Sequence, residues 1–261
     1  MNIVLQNFPV FLLIFCRITS FFVVAPIFST RGVPNIFKVG ISAMLSIMIT
    51  LIYGINQKVP TDVSYVLLVA REVLIGLLLG FVAYLIFTAI QTAGALIDFQ
   101  VGFAMATVYD PMTGASVPVT GNFKFAIAIL LFLTMNGHHY LLDAIVYSYD
   151  WVPLQNDFFT KLYGGSISSF LIRTFADSFM LAFQMSAPIV VAMFLTDVGL
   201  GFLAKTAPQF NIFVIGVPLK IIVGLAMLML LFPSFAYIFE RLFAIMFQSM
   251  QDLLGIIGHR R

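Results

Sequence analysis

The sequence predicts an all-α integral membrane protein with six or more hydrophobic helices, some of them paired as kinked hairpins. Of its 261 residues, 61% are hydrophobic and 9% charged, and the mean hydropathy is +1.07. A soluble domain carries roughly 45–50% apolar residues, and one core in a chain of this length cannot hide such a surplus. The apolar residues are also gathered into runs of about 20, the length of helix that crosses a bilayer.

The first run, Phe8 to Phe28, has no basic residue ahead of it and passes through Arg17 without a small-residue cleavage site. It therefore reads as a retained helix rather than a signal peptide. Further spans follow at Ile36–Ile55, Val63–Ala93, Phe123–Val146, Phe170–Leu195 and Ile212–Phe239. A seventh segment, Phe243–Ile257, is short enough to lie at the interface. Proline and glycine clusters such as "STRGVP", "YDPMTGASVPVTG", "YGGSISS" and "KTAPQFN" separate these runs.

The third span stands apart because no proline interrupts the chain between Pro60 and Pro111. A helix of about 45 residues would be roughly 68 Å long against a hydrocarbon core of about 30 Å. It either breaks near Gly94 or Gly102 and turns back, or stays helical and leaves the bilayer inside a protein assembly. The positive-inside rule places the first loop, with Arg31 and Lys38, in the cytoplasm, and Lys205 agrees under alternating spans. Arg260 and Arg261 then fall on the opposite side, which suggests that some segments do not span.

Arg17, Arg71, Glu72, Asp98, Lys124, Asp143, Asp177 and Asp197 lie within or close to apolar runs. Each charge costs roughly 2.5–3.5 kcal/mol at a helix centre, so such groups must face protein or water. They either pair inside the chain or meet partner subunits. Gly76 and Gly80, in "GLLLGF", form a small-xxx-small pattern that lets two helices approach closely.

No G-x-S-x-G elbow, phosphate loop or cysteine–histidine constellation is present, so no catalytic residue is assigned. Cys16 is the only cysteine, which excludes an internal disulfide or a cysteine-rich metal site. The adjacent histidines of "NGHH", Asn136 to His139, lack a nearby third ligand. They read as a helix end or kink in which Gly137 supplies the conformational freedom. No cofactor is implied. The net charge of +2 and the absence of a long basic run give no footing for nucleic acid. Lipid and other apolar surfaces are the expected surroundings.

Three segments together resemble the FliR family, the flagellar biosynthetic proteins of the type III export apparatus. They are "RITSFFVVAPIFSTRGVP"; "GALIDFQVGFAMATVYDPMTG" followed by "LLFLTMNGHHYLL"; and "LTDVGLGFLAKTAPQFNIFVIGVPLK". The resemblance covers most of the chain in order and is weakest at Gly54–Asp62 and Asp150–Ser169. It implies one membrane domain over 1–261, with a FliP-like part at 1–150 and a FliQ-like helical hairpin at 165–261. It further implies a subunit that packs with FliP and FliQ into a heteromeric helical export gate of the bacterial inner membrane, with FlhB and FlhA nearby. Unfolded flagellar proteins would be the cargo, at the flagellar basal body. The "DPMTG" and "NGHH" forms look more like the flagellar branch than the injectisome branch.

Irregular backbone at membrane depth is tolerated only where it is buried in protein or lines a cavity. Within the plug segment 98–122, a pore constriction is therefore expected from Gly102, Phe103, Met105, Val108, Asp110, Pro111 and Met112. Flexible methionine and phenylalanine would seal around an unfolded chain and hold back ions between substrates. Arg17, Arg71, Glu72, Asp98, Gln100, Asp197 and Gln209 are expected to position this element or to contact other subunits. The alternative roles are an ion-coupled solute transporter using Asp98, Asp143 or Asp197, and a scaffold that nucleates a gate without lining it.

Overall fold

The computed structural model describes residues 2–30, 32–54, 59–60, 62–103, 119–154, 158–209 and 211–258. Among them no strand occurs. The helices are α1 (Asn2–Val24), α2 (Asn35–Ile49, continued by a π-helical turn at Thr50–Gly54), α3 (Ser64–Val101) and α4 (Val119–Thr134). They are followed by α5 (Gly137–Trp151), the short α6 (Phe158–Tyr163), α7 (Ser166–Thr206) and α8 (Ile212–Ile257). Five of these, α1, α2 with its π turn, α3, α7 and α8, are long and apolar enough to cross a membrane. The α4–α5 pair makes a sixth candidate, bent by 70°.

Helix α3 does not break at Gly94; it runs unbroken to Val101. The sixth and seventh apolar segments are likewise one helix, because Glu240 and Arg241 interrupt the apolar run without interrupting the backbone. At 38, 41 and 46 residues, α3, α7 and α8 span about 57, 62 and 69 Å, each roughly twice a hydrocarbon core. Pro188 lies inside α7, and Pro218 and Pro233 inside α8. A proline removes one hydrogen bond from an apolar helix, whereas ending the helix there would leave several backbone groups unpaired.

The bend between α4 and α5 also differs from expectation. Asn136, not Gly137, takes the left-handed conformation, with φ 58°. Asparagine tolerates this region better than most residues because its short amide side chain hydrogen-bonds locally.

The chain forms two compact units. The first comprises Met1–Ile86, Asn136–Phe175 and Ala244–Arg261. Its core takes the apolar stripe Val10, Leu13, Ile14, Ile18, Phe21 and Phe22 of α1, a period of three and four that places one helix face inward. Gly76 and Gly80 of α3 meet that helix: a Cβ on Gly76 would collide with the Arg17 carbonyl oxygen and the Ser20 hydroxyl, and one on Gly80 would lie 3.0 Å from the Phe21 oxygen. In α2, the buried Ser42, Ser46 and Thr50 hydroxyls donate to the carbonyls of Lys38, Ser42 and Ser46. This back-bonding satisfies small polar side chains without outside partners and loosens the helix, which continues as the π turn.

The second unit comprises Phe87–Met135 and Ala176–Phe243. Phe87, Phe132 and Phe243 form its aromatic centre, with ring centroids 4.9–5.5 Å apart. Ile97 and Val101 of α3 pack with Ile189 and Met193 of α7 to form a second apolar cluster.

Candidate functional site

The first unit places Arg17, Arg71 and Glu72 in one buried network. Arg17 Nε donates to Glu72 Oε2 at 2.5 Å, and Arg71 Nη2 donates to Glu72 Oε1 at 2.6 Å. The remaining donors of Arg17 reach the end of α5: Nη1 donates to the Ser148 carbonyl and hydroxyl, and Nη2 to the Val152 carbonyl at 3.0 Å. Arg71 also donates to the Leu154 carbonyl. Two arginines and one glutamate leave one positive charge in excess. The unpaired carbonyls at a helix C-terminus carry partial negative charge, so the end of α5 offsets it. The Arg17 guanidinium also stacks 4.1 Å from the Tyr149 ring centroid. These three residues therefore meet one another and the α5 terminus inside the chain.

Of the residues expected to form a constriction, Gly102 and Phe103 are described, and both belong to the second unit. Met105, Val108, Asp110, Pro111 and Met112 lie outside the described residues, as do Arg31, Arg260 and Arg261. Gly102 ends α3 with φ 95°, and among the described residues nothing lies within 4 Å of an added Cβ. The positive φ is a backbone conformation that glycine adopts readily. Phe103 packs on the Ile97, Val101, Ile189 and Met193 cluster. It also lines an apolar cavity of about 510 Å³ with Val119, Phe123, Met229, Phe232 and Phe235 among its walls.

Asp98 joins the two described edges. The Thr120 backbone N–H donates to both carboxylate oxygens, at 3.0 and 3.1 Å, and the Thr120 hydroxyl donates to Oδ1. Helix N-termini leave N–H groups unpaired and favour an anion. Asp98 thus caps α4 from α3. One turn earlier, a Cβ on Gly94 would collide with the backbone of Gly121, so the two helices touch main chain to main chain.

Gln100, also on α3, donates to Asp197 Oδ2 at 3.1 Å, and Lys220 donates to the same carboxylate at 2.9 Å. Asp197 sits on α7 and Lys220 on α8, so one carboxylate ties the end of α3 to both of these helices. Gln209 is exposed in the turn between α7 and α8. Asp143 and Asp177 are exposed.

Lys124 has a different environment. It is fully buried, and its Nζ has no hydrogen-bond acceptor among the described residues. It lies 4.6 Å from the Phe235 ring centroid. A desolvated cation–π contact contributes about 2 kcal/mol, against the roughly 2.5–3.5 kcal/mol cost of a charge at a membrane helix centre. The ring therefore offsets only part of the cost.

Sequence reasoning found the charged residues but not their partners. Thr120, Gly121 and Lys220 carry no distinguishing local signal, and the carbonyls of Ser148, Val152 and Leu154 carry none at all. The partnering depends on helix contacts between positions far apart in the chain.

Residues 8–246 match the profile of a family described as bacterial export proteins, family 1. The chain belongs to that family. This family 1 export protein is 39% identical to the flagellar biosynthetic protein FliR of Bacillus subtilis (strain 168), over 99% of each chain. It is 33% identical to the flagellar biosynthetic protein FliR of Escherichia coli (strain K12), over 92% of this chain and 90% of that one. Identity to the Yop proteins translocation protein T of Yersinia pestis is 29%, over 78% of each. The names of these relatives describe biosynthesis and translocation rather than catalysis. With five or six membrane-crossing candidates, this family 1 export protein is a multi-pass membrane protein.

Proposed function

We propose that the chain is a subunit of the flagellar type III export gate in the bacterial inner membrane, at the flagellar basal body. It joins FliP and FliQ in a hetero-oligomeric channel through which unfolded flagellar proteins cross, and FlhB and FlhA act beside it. The 1–150 part supplies the FliP-like framework and 165–261 the FliQ-like hairpin. Gly102, Phe103, Met105, Val108, Asp110, Pro111 and Met112 form the constriction. Asp98, Gln100 and Asp197 position it by joining the helix ends around it.

One observation carries this reading: α7 and α8 are about twice as long as a bilayer core is thick, yet only 17% and 11% of their most apolar stretches are buried inside the chain. Lipid covers roughly half of such a helix. The remainder needs apolar protein neighbours, which a multi-subunit gate provides. Similarity to FliR proteins over nearly the whole chain favours the flagellar branch over the injectisome, whose relative matches less of the chain at lower identity.

The test is extraction of the tagged protein in mild detergent, followed by mass spectrometry of what stays bound. Recovery of FliP and FliQ homologues is expected. A lone protein, from cells that express those homologues, would overturn the reading in favour of a solute transporter. Within a recovered complex, alanine at Phe103 and Met105 is expected to raise ion leak across the membrane, and unchanged conductance would remove the constriction from this segment.

A further inference from the structure

We infer that Lys124 is a positioning residue for the first turn of α4, and that Asp98 has two hydrogen-bonded positions, one on Thr120 and one on Lys124. The inference rests on the export-gate reading above. In the structure the carboxylate holds the Thr120 N–H and hydroxyl, while the buried ammonium one turn further along has no acceptor among the described residues. Thr120, Gly121 and Lys124 are all buried on one face of α4, the face that meets α3 through the Gly94–Gly121 contact.

The exchange requires α4 to move along α3 by less than a helical turn of about 5.4 Å, because the lysine stem spans part of the interval. The crossing presents glycine to glycine, so no side chain interlocks there to oppose sliding. The observed position leaves the buried ammonium without an acceptor among the described residues, and the other would leave the Thr120 N–H and hydroxyl without theirs. An unpaired buried charge in one position is set against two unpaired neutral donors in the other, so each carries a cost, as a two-state element requires. The Phe235 ring holds the cation in the observed position without a directional hydrogen bond, so the lysine can leave it without breaking one.

The test compares variants supplied as the only copy of the chain in cells. K124M is expected to lower export about tenfold, with normal protein abundance and an unfolding midpoint in detergent close to that of the wild type. K124R is expected to restore most of the export. T120V weakens the observed position and is expected to raise ion leak, and adding K124M is expected to abolish that leak. Wild-type export by a normally abundant K124M protein overturns the inference, as does a T120V leak that is the same with and without Lys124. If K124M does not accumulate, the wild-type protein decides: the Thr120 amide is expected to exchange hydrogen faster than the centre of α4, and equal protection overturns the inference. If deletion of the whole chain leaves export intact, the export-gate reading itself fails. If deletion abolishes export while K124M behaves as the wild type, only the exchange fails.

Discussion

Arg17 and Lys124 are both cations without solvent exposure in apolar helices, and by sequence they look alike. Arg17 donates to a carboxylate, a hydroxyl and two carbonyls and stacks on an aromatic ring. Lys124 has one ring beneath it and no hydrogen bond among the described residues. Burial therefore does not define the role of a charge in this protein; the number of groups that depend on it does. Removing one member of the Arg17 network strands the others. Removing Lys124 strands no hydrogen-bond partner among the described residues.

The largest effect is expected from Glu72→Leu, which leaves two buried guanidinium groups without their carboxylate. Breaking a buried pair in this way costs about 3–5 kcal/mol, expected as a large loss of folded protein and a lowered unfolding midpoint in detergent. A well-folded Glu72→Leu protein would erase the contrast with Lys124. Next is Gly76→Ala, whose added methyl meets the Arg17 carbonyl and the Ser20 hydroxyl. Overpacking of this kind costs about 1–3 kcal/mol, read as a smaller fall in the same midpoint. Because it moves the backbone that carries Arg17, its effect should not add to that of Glu72→Leu, and a double-mutant cycle in detergent checks this.

Lys124→Met is expected to change stability by about 1 kcal/mol or less, since relief of desolvation offsets the lost ring contact. A loss as large as that of Glu72→Leu would show that Lys124 has an unrecognised partner. The smallest effect is expected at Asp197→Asn. Its side chain is 41% exposed, the amide oxygen still accepts from Gln100 or Lys220, and an exposed ion pair contributes about 1 kcal/mol or less. Equal unfolding midpoints for Asp197→Asn and the wild type would place this cluster opposite the Arg17 network on the same scale.

Several elements were legible without coordinates. The absence of proline across the third span marked α3 as overlong, and the small-xxx-small spacing marked Gly76 and Gly80 as a contact face. The Pro208–Gln209 turn separated the hairpin helices. Other elements were misread for definite reasons. Glu240 and Arg241 looked like an interruption because hydropathy averages side chains, whereas helix continuity depends on backbone hydrogen bonds. The α4–α5 bend was assigned to Gly137 on conformational freedom alone, yet Asn136 takes the left-handed position. For the expected constriction, Gly102 and Phe103 are placed, and Asp98 and Thr120 join the helices that flank it.

The sequence by itself determined the solvent, the helical class and the roll of charged residues that apolar surroundings must accommodate. Those follow from composition and from apolar runs of about 20 residues, which are local. Only the tertiary structure decided which charges are satisfied. Arg17 finds Ser148 across 131 positions of the chain, and Asp98 finds Thr120 across 22. Such meetings depend on where packed helices cross, and their acceptors are often backbone carbonyls that every residue carries alike.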